Sequence, residues 1–413
     1  MDFLDDNKKM LLALLSSAIR GKAFQAETFV NIDWQAIFDE AVKHQVLPLV
    51  YPLLSGMDKS MGIPKGLLEC WRTDTLHACM AQEHNYFLIG NILKSFSNAG
   101  IPVIVLKGLV LRDLYPDPGL RSMGDADLLI MPGDMERAGG ILRNFQYVLC
   151  SDDGKHAEYT HKHFLSIELH RAIMPYDCVD KYTDFESGIW ERSVQANVGG
   201  VQAFSLSARD MAVYLLMHMS SHAISGGFGL RQLSDFVLFV EAHSKDMDWN
   251  GFFKTAQWCH IETFAKILLE VCRKLLALAL PEACRESGPQ DSSLVNDLIL
   301  DIFDGGVFGK SSNERISANR LIHYNNGKEA NRLIQKLEGN IRLLFPKASK
   351  MDIKYRYAER NRLLLPIAWI HRIIYTFMQS GLDSFKNKTV ITQARIEVYN
   401  NRAILLRRLG LLD

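Results

Sequence analysis

Between Ile101 and Ile130 the chain reads IPVIVLKGLVLRDLYPDPGLRSMGDADLLI, and this stretch restricts the fold more than any other. The apolar run Pro102 to Leu106 reads as a buried strand, closed by a turn at Lys107-Gly108. A short helix and a Pro/Gly loop follow, then a second strand carrying Asp125 and Asp127. Side chains alternate across a strand with a period of two, so the two carboxylates share one face while Ala126 and Leu128 enter a core. Aspartate is disfavoured in strands, and two on one face repel each other unless a cation sits between them. A hard divalent ion bound through oxygen is the natural counter-charge.

A third acid lies further on. In Phe164 to His170, FLSIELH, the residues Ile167 and Leu169 fall on one face and Ser166, Glu168 and His170 on the other. If this run lies beside the Asp125 strand, Glu168 completes a three-carboxylate site. Such a site suits two Mg²⁺ ions clamping the attacking and leaving oxygens of a phosphoryl or nucleotidyl transfer.

The succession LKG, YP, Arg121, DADLLI and IELH resembles an uncharacterised nucleotidyltransferase family within the DNA-polymerase-β-like superfamily. AVKHQVLPLVY (Ala41 to Tyr51) resembles the family's helical N-terminal segment, and RLLLPIAWIHR (Arg362 to Arg372) its C-terminal one. The wider superfamily usually has Gly-Ser or Gly-Gly in the first turn, where this chain has Lys107-Gly108-Leu109. The gap from that turn to Asp125 is also longer than usual.

The resemblance implies an α+β protein, with a small mixed sheet flanked by N- and C-terminal helical regions. The expected divisions are a helical region at 1–100 packed on the core, a nucleotidyltransferase core at 101–204 and a helical domain at 205–413. Asp125, Asp127 and Glu168 are the expected catalytic and metal-binding residues, holding two Mg²⁺ ions, or Mn²⁺. The donor is an NTP, with ATP expected. Lys107, Gly108, Arg121 and Ser122 are expected at its phosphates, Arg231 at phosphate or acceptor, and His170 as a neighbour of a ligand carboxylate. Two other readings remain: a nucleotide-binding protein that has lost catalysis, as the altered turn suggests, and an enzyme of RNA ends.

Charge speaks weakly for the RNA reading. Lys+Arg and Asp+Glu both number 47, so the net charge is zero. The stretch Ile341 to Asp413 carries 14 Lys/Arg against 5 Asp/Glu. Such a basic tail most often makes a solvated helical surface, so nucleic acid is not the favoured partner. Seven cysteines stand singly, with no C-x-x-C, which fits a reducing compartment and no structural zinc. The acidic start MDFLDDNKK is unlike a secretory signal, and no apolar run approaches the roughly 18 residues a span needs. A cytoplasmic protein without membrane contact is expected.

Around the core the patterns are helical. Asp33 reads as an N-cap, and a helix opening at Ile63-Pro64 runs towards Gly100, with Gly90 as a place where it can break because glycine inside a helix is costly. Gly133 to Asn144 reads as a helix, Gln146 to Cys150 as a strand, and His156–Thr160 with Phe164–His170 as a hairpin. VGGVQAFSL holds one further short strand. From Ser207, an Ser-x-x-Asp capping box opens a helix, and GGFG separates it from a second. Further helices are expected at Leu268–Leu280, Leu294–Phe303, Arg332–Phe345, Leu363–Gln379 and Ile391–Leu409. The run GGVFGKS at Gly305 to Ser311 imitates a P-loop but follows a helical pattern, so it reads as a glycine turn ending a helix.

Overall fold

The computed structural model describes residues 3–24, 32–57, 61–173, 186, 188–285, 291–309, 312–325, 345–347, 351, 355, 357–372, 374–375 and 393–412. The chain divides into two compact units, residues 1–219 with 229–295, and residues 220–228 with 296–413.

The first unit opens with helices. In α1 (Asp6–Ala18) the side chain of Asp5 accepts from the Lys8 amide, and in α2 (Trp34–Lys43) Asp33 accepts from the amides of Gln35 and Ala36. Each cap satisfies donors that the first helical turn leaves open. Then come α3 (Leu47–Ser55) and the 34-residue α4 (Lys65–Asn98). The Trp71 indole of α4 donates to the Leu47 carbonyl at 2.9 Å, and Gly100, at φ +67°, ends the chain's helical run.

α4 does not break at Gly90. A Cβ there would stand 3.1 Å from the Gly199 carbonyl oxygen, and one on Gly199 would stand 2.9 Å from the Gly90 Cα. Gly90 is therefore a place where two backbones approach, and the helix is continuous through it. The partner turn is the tip of a hairpin, β6 (Val194–Val198) and β7 (Val201–Ser205), where one strand was expected. Gly199 and Gly200 both take positive φ, as a two-residue hairpin turn demands.

The remaining strands are β1 (Val103–Val105), β2 (Asp125–Ile130), β3 (Val148–Asp152), β4 (His156–Thr160) and β5 (Ser166–His170). They join β6 and β7 in one mixed sheet of order β3-β4-β5-β2-β1-β7-β6. Two pairings are parallel, β2 with β5 and β1 with β7, and the rest are antiparallel. Between β1 and β2 the chain forms the short helix α5 (Gly108–Leu111), and between β2 and β3 it forms α6 (Met135–Asn144).

One face of this sheet is the core. Val103, Val105, Ala126, Leu128, Ile130, Ile167 and Leu169 pack there with Ile89, Ile92, Leu93 and Phe96 of α4 and Ala138 and Leu142 of α6. This is the half of the period-two pattern that sequence alone assigns inward. The protein is α+β, with a mixed seven-stranded sheet and helices on both sides of it in sequence.

Two further helices, α7 (Ala208–Ser225) and α8 (Leu230–His243), follow the sheet. The Ser207 hydroxyl accepts from the Asp210 amide at 3.3 Å. The Asp210 carboxylate, buried, pairs with Arg192 and Arg209 and so does not return the bond of a full capping box. The start of α8 is tied to the N-terminal helices, because buried His44 accepts from the Leu230 amide through Nδ1 at 3.2 Å while its Nε2 meets Glu40 at 3.0 Å.

The helix Ser292–Gly305 enters the second unit at Asn296, and Asn313–Asn325 and Gln393–Arg408 of that unit are helical too. Asp301 is their electrostatic centre. It accepts two bonds from the Arg315 guanidinium at 2.9 Å and two from Arg402 Nη1 at 2.5 and 2.7 Å. Gly305 does end its helix, and Gly306 turns with φ +61°. Lys310 and Ser311, residues 332–344 of the Arg332–Phe345 helix expectation, and residues 373 and 376–379 of the Leu363–Gln379 expectation lie outside the described residues.

Candidate functional site

The parallel register between β2 and β5 builds the site. Asp125 lies beside Ser166 and Asp127 beside Glu168, all on the sheet face opposite the apolar core. The β4–β5 register then brings Glu158 opposite Glu168 and His156 opposite His170. The His156 and His170 rings stack with centroids 5.4 Å apart and planes 23° apart.

Into this face reaches Lys107, from the turn between β1 and α5. Its backbone sits at φ 42°, ψ −117°, a combination that glycine tolerates and an L side chain resists. Holding it there costs on the order of 1–3 kcal/mol. The strain aims a buried ammonium at Asp127 Oδ1, 2.8 Å away. The same ammonium lies 3.4 Å from both ring nitrogens of His218 and 5.9 Å from the centre of the Tyr214 ring, both on α7.

Asp127 is 2% exposed and Lys107 8%, so both would be neutralised by burial alone. Burial is outweighed at each. The Asp127 carboxyl is held well below the usual carboxylate range by Lys107 and by hydrogen bonding and charge from His170. Lys107 is pushed above its ordinary value because Asp127, Tyr214 and Asp125 together exceed the desolvation penalty. His170, also penalised by burial, is raised to about 9 by its bonds to Asp127 and Glu168. Its Nε2 lies 2.9 Å from Asp127 Oδ1 and 3.3 Å from Glu168 Oε2.

Asp125 has a different standing. Its carboxyl is raised, first by the charge of Asp127 and then by burial, with Glu168 adding to the repulsion. Lys107 and Arg231 pull the other way without restoring the ordinary value. Among the described residues no hydrogen bond or ion pair holds it. Asp127, Glu168 and His170 each offer an atom within 4.8 Å of the others, a spacing that one metal ion can bridge. The donor set of carboxylate oxygens and one imidazole fits a divalent cation.

A second layer sits behind the turn. The Arg121 guanidinium grips Asp235 of α8 with Nε at 3.0 Å and Nη2 at 2.5 Å, and the Tyr115 hydroxyl donates to the same carboxylate at 2.8 Å. Gly108 lies against this fork: a Cβ there would overlap Arg121 Nη1 and stand 3.0 Å from Met123 Sδ. Its lack of a side chain serves the close approach of Arg121, whereas the unusual φ belongs to Lys107. Ser122 contributes its carbonyl oxygen, which accepts from Arg231 Nη1 at 3.0 Å. The Nε of Arg231 is buried without a hydrogen-bond partner. Burial and the neighbouring Arg121 lower the basicity of Arg231, and Asp235 and Asp125 oppose that shift.

The match to known proteins coincides with this architecture. Residues 31–277, more than half the chain, match an uncharacterised nucleotidyltransferase family. The chain belongs to that family. The matched stretch contains the whole sheet, the acidic face, Lys107 and both α7 and α8. No curated protein matches this nucleotidyltransferase. Among the described residues, no helix is long and apolar enough to cross a membrane.

Sequence reasoning placed Asp125, Asp127 and Glu168 on one face, and the structure brings them there together with Lys107. It did not find Tyr214 or Tyr115 as parts of the site, and it placed Asp235 only on a helix that the resemblance brings near the site, without its partners. Tyr115 and Asp235 carried no local pattern, because their meeting joins positions 120 residues apart. His170 did carry one: two positions after Glu168 on a strand, it had to share the acidic face.

Proposed function

We propose that this nucleotidyltransferase moves a nucleoside monophosphate from an NTP, with ATP the first donor to test, to an acceptor hydroxyl of a small molecule or protein. The observation that carries the reading is the clustering of Asp125, Asp127 and Glu168 on one sheet face, with a buried lysine already held against the central acid. Catalysis would reside in residues 101–204, with 1–100 packed against them and the helices of 205–413 supplying α7 and α8.

Asp127 and Glu168 would hold a divalent ion, with Asp125 beside them completing the site for a second. Mg²⁺ or Mn²⁺ bound there would supply Lewis-acid activation of the acceptor and neutralise charge on the departing pyrophosphate. The chain's own groups do the rest. Lys107 holds Asp127 before loading and is free to turn its ammonium to phosphate oxygens once Asp127 has another cation. Arg231 presents an unpaired guanidinium N–H on the same side, suited to a phosphate or acceptor oxygen. Glu168, half-buried at the edge of the cluster, is placed to take the acceptor's proton. Arg121 and Gly108 act by fixing the turn that carries Lys107, and Ser122 by fixing Arg231.

The test is thermal unfolding with each NTP, with and without Mg²⁺, on wild type and on the Asp125→Asn/Asp127→Asn variant. Ligand at 100 times its Kd adds about 2.7 kcal/mol to stability. A Mg²⁺-dependent shift with one NTP, absent in the variant, is the expected result. No shift with any NTP, or an equal shift in the variant, overturns the reading.

A further inference from the structure

We infer that His170 is itself a ligand of the divalent ion, and that its nitrogen makes the site prefer first-row transition ions such as Mn²⁺ over Mg²⁺. The inference rests on the nucleotidyltransferase reading above and specifies the ion that this site takes.

The geometry begins with the strand. Glu168 and His170 are two apart on β5 and therefore project from one face, and the register with β2 sets Asp127 directly beside Glu168. His170 Nε2 consequently points between the two carboxylates, 2.9 Å from Asp127 Oδ1 and 3.3 Å from Glu168 Oε2. In six-coordinate sites with bonds of about 2.1 Å, neighbouring donor atoms are separated by roughly 3.0 Å. The separations of His170 Nε2 from the two acids have that size, and the three donor atoms all lie within 4.8 Å of one another.

The ring is also held in place. It stacks on His156 across the β4–β5 pair, which fixes its plane, and it is largely buried, which limits competing water. A ligand imidazole needs such orientation from its surroundings.

The identity of the ion follows from the donors. Carboxylate, carbonyl and water suit Mg²⁺, Ca²⁺ and Mn²⁺ alike, whereas a nitrogen donor favours the first-row transition ions, least among them Mn²⁺ and then Fe²⁺, Co²⁺ and Ni²⁺ in rising order. Adding one imidazole to two carboxylates shifts the site towards these transition ions. If His170 were only a hydrogen-bond neighbour of Asp127, the site would be oxygen-only and the preference would vanish.

Mn²⁺ is a direct probe because it is paramagnetic. The experiment titrates full-length protein with Mn²⁺ in the absence of nucleotide, reads binding from the free-ion EPR signal, and examines the bound ion for ¹⁴N coupling by pulsed EPR. Mg²⁺ competition then gives the ratio of affinities. Variants are His170→Gln, His156→Gln, His218→Gln and Asp127→Asn. The expected result is ¹⁴N coupling in wild type and His156→Gln, its loss in His170→Gln, and a fall of about tenfold or more in Mn²⁺ preference in that variant. Wild-type coupling that survives His156→Gln and His218→Gln supports His170 even if His170→Gln does not fold. Binding of Mn²⁺ that needs Asp127 but shows no ¹⁴N coupling, or an unchanged ion preference in folded His170→Gln, overturns the inference and leaves the nucleotidyltransferase reading intact. Absence of any Asp127-dependent divalent binding, with or without NTP, removes both.

Discussion

Substituting Gly108 with alanine tests whether the turn is built around Arg121. The added methyl would lie inside contact distance of Arg121 Nη1 and 3.0 Å from Met123 Sδ. Arg121 cannot yield freely, since Nε and Nη2 are committed to Asp235 at 3.0 and 2.5 Å, and all of these groups are buried. If the fork shifts and keeps its partner, the cost is that of overpacking, about 1–3 kcal/mol. If the pair opens, the loss approaches the 3–5 kcal/mol typical of breaking a buried ion pair. We expect Gly108→Ala to lower stability by about 3 kcal/mol, between those limits. The cost is specific to the guanidinium, so in an Arg121→Met background the alanine should cost at most about 1 kcal/mol more than the methionine alone, a strong departure from additivity. Urea unfolding followed by circular dichroism measures both. A Gly108→Ala protein within 0.5 kcal/mol of wild type, or additive behaviour in the double variant, refutes this account of the glycine, at a resolution of roughly the usual additivity error.

Other expectations follow from the same contacts. His44 is kept neutral by burial, its Nδ1 accepting from Leu230, so its affinity for protons lies below the ordinary value of 6.5. Below that value the unfolded chain binds the extra proton and the native protein does not, so stability falls with acidification, by up to about 1.4 kcal/mol per pH unit for one group. Glu40, whose carboxyl is lowered by His44 and Lys43 against the penalty of burial, adds a further loss at lower pH still. His44→Gln should flatten the wild-type slope between pH 7 and 5.5, and equal slopes in urea titrations would remove the assignment. Gly199→Ala combines a left-handed backbone with a Cβ 2.9 Å from the Gly90 Cα, and should cost about 2–4 kcal/mol by thermal or urea unfolding; a neutral result would mean that the two backbones can part. Arg231→Gln removes a charged donor worth about 1.5–3 kcal/mol, or roughly 10–100-fold in NTP Kd by calorimetry. An unchanged Kd would exclude Arg231 from the phosphates.

What the sequence made legible was local. A period of two assigned Asp125, Asp127, Glu168 and His170 to one face and Ala126, Leu128, Ile167 and Leu169 to the other, and both halves are where that pattern puts them. Asp33 as a cap and Gly100 as a left-handed stop were equally local and equally readable. Contacts between distant segments were not. Gly90 looked like a break because the residue it faces, Gly199, is more than a hundred positions away, and only the packed hairpin explains it. Lys107 was visible as a turn residue, but its ion pair with Asp127 depends on the β1–β2 pairing and on strain that no pattern of residue types records. His44 offered no local signal of its bond to Leu230, 186 positions on.

The parallel pairing of β1 with β7 has a consequence for synthesis. Strand β1 emerges from the ribosome near residue 105, but its neighbour β7 does not exist until residue 205, and the α8 residue Asp235 that locks Arg121 comes later still. At ordinary elongation rates of about 5–20 residues per second, β7 follows β1 after roughly 5–20 seconds and Asp235 after roughly 7–26 seconds. Until β7 arrives the nascent sheet carries an unpaired edge of Val103, Ile104 and Val105, the kind of strand that templates aggregation. The acidic face is meanwhile assembled from β2 and β5 without the helices that carry His218 and Arg231. Chains truncated before β7 would be arrested in that state, and chains truncated before Asp235 would lack the partner of Arg121, so a minimal active fragment has to reach well past the last strand.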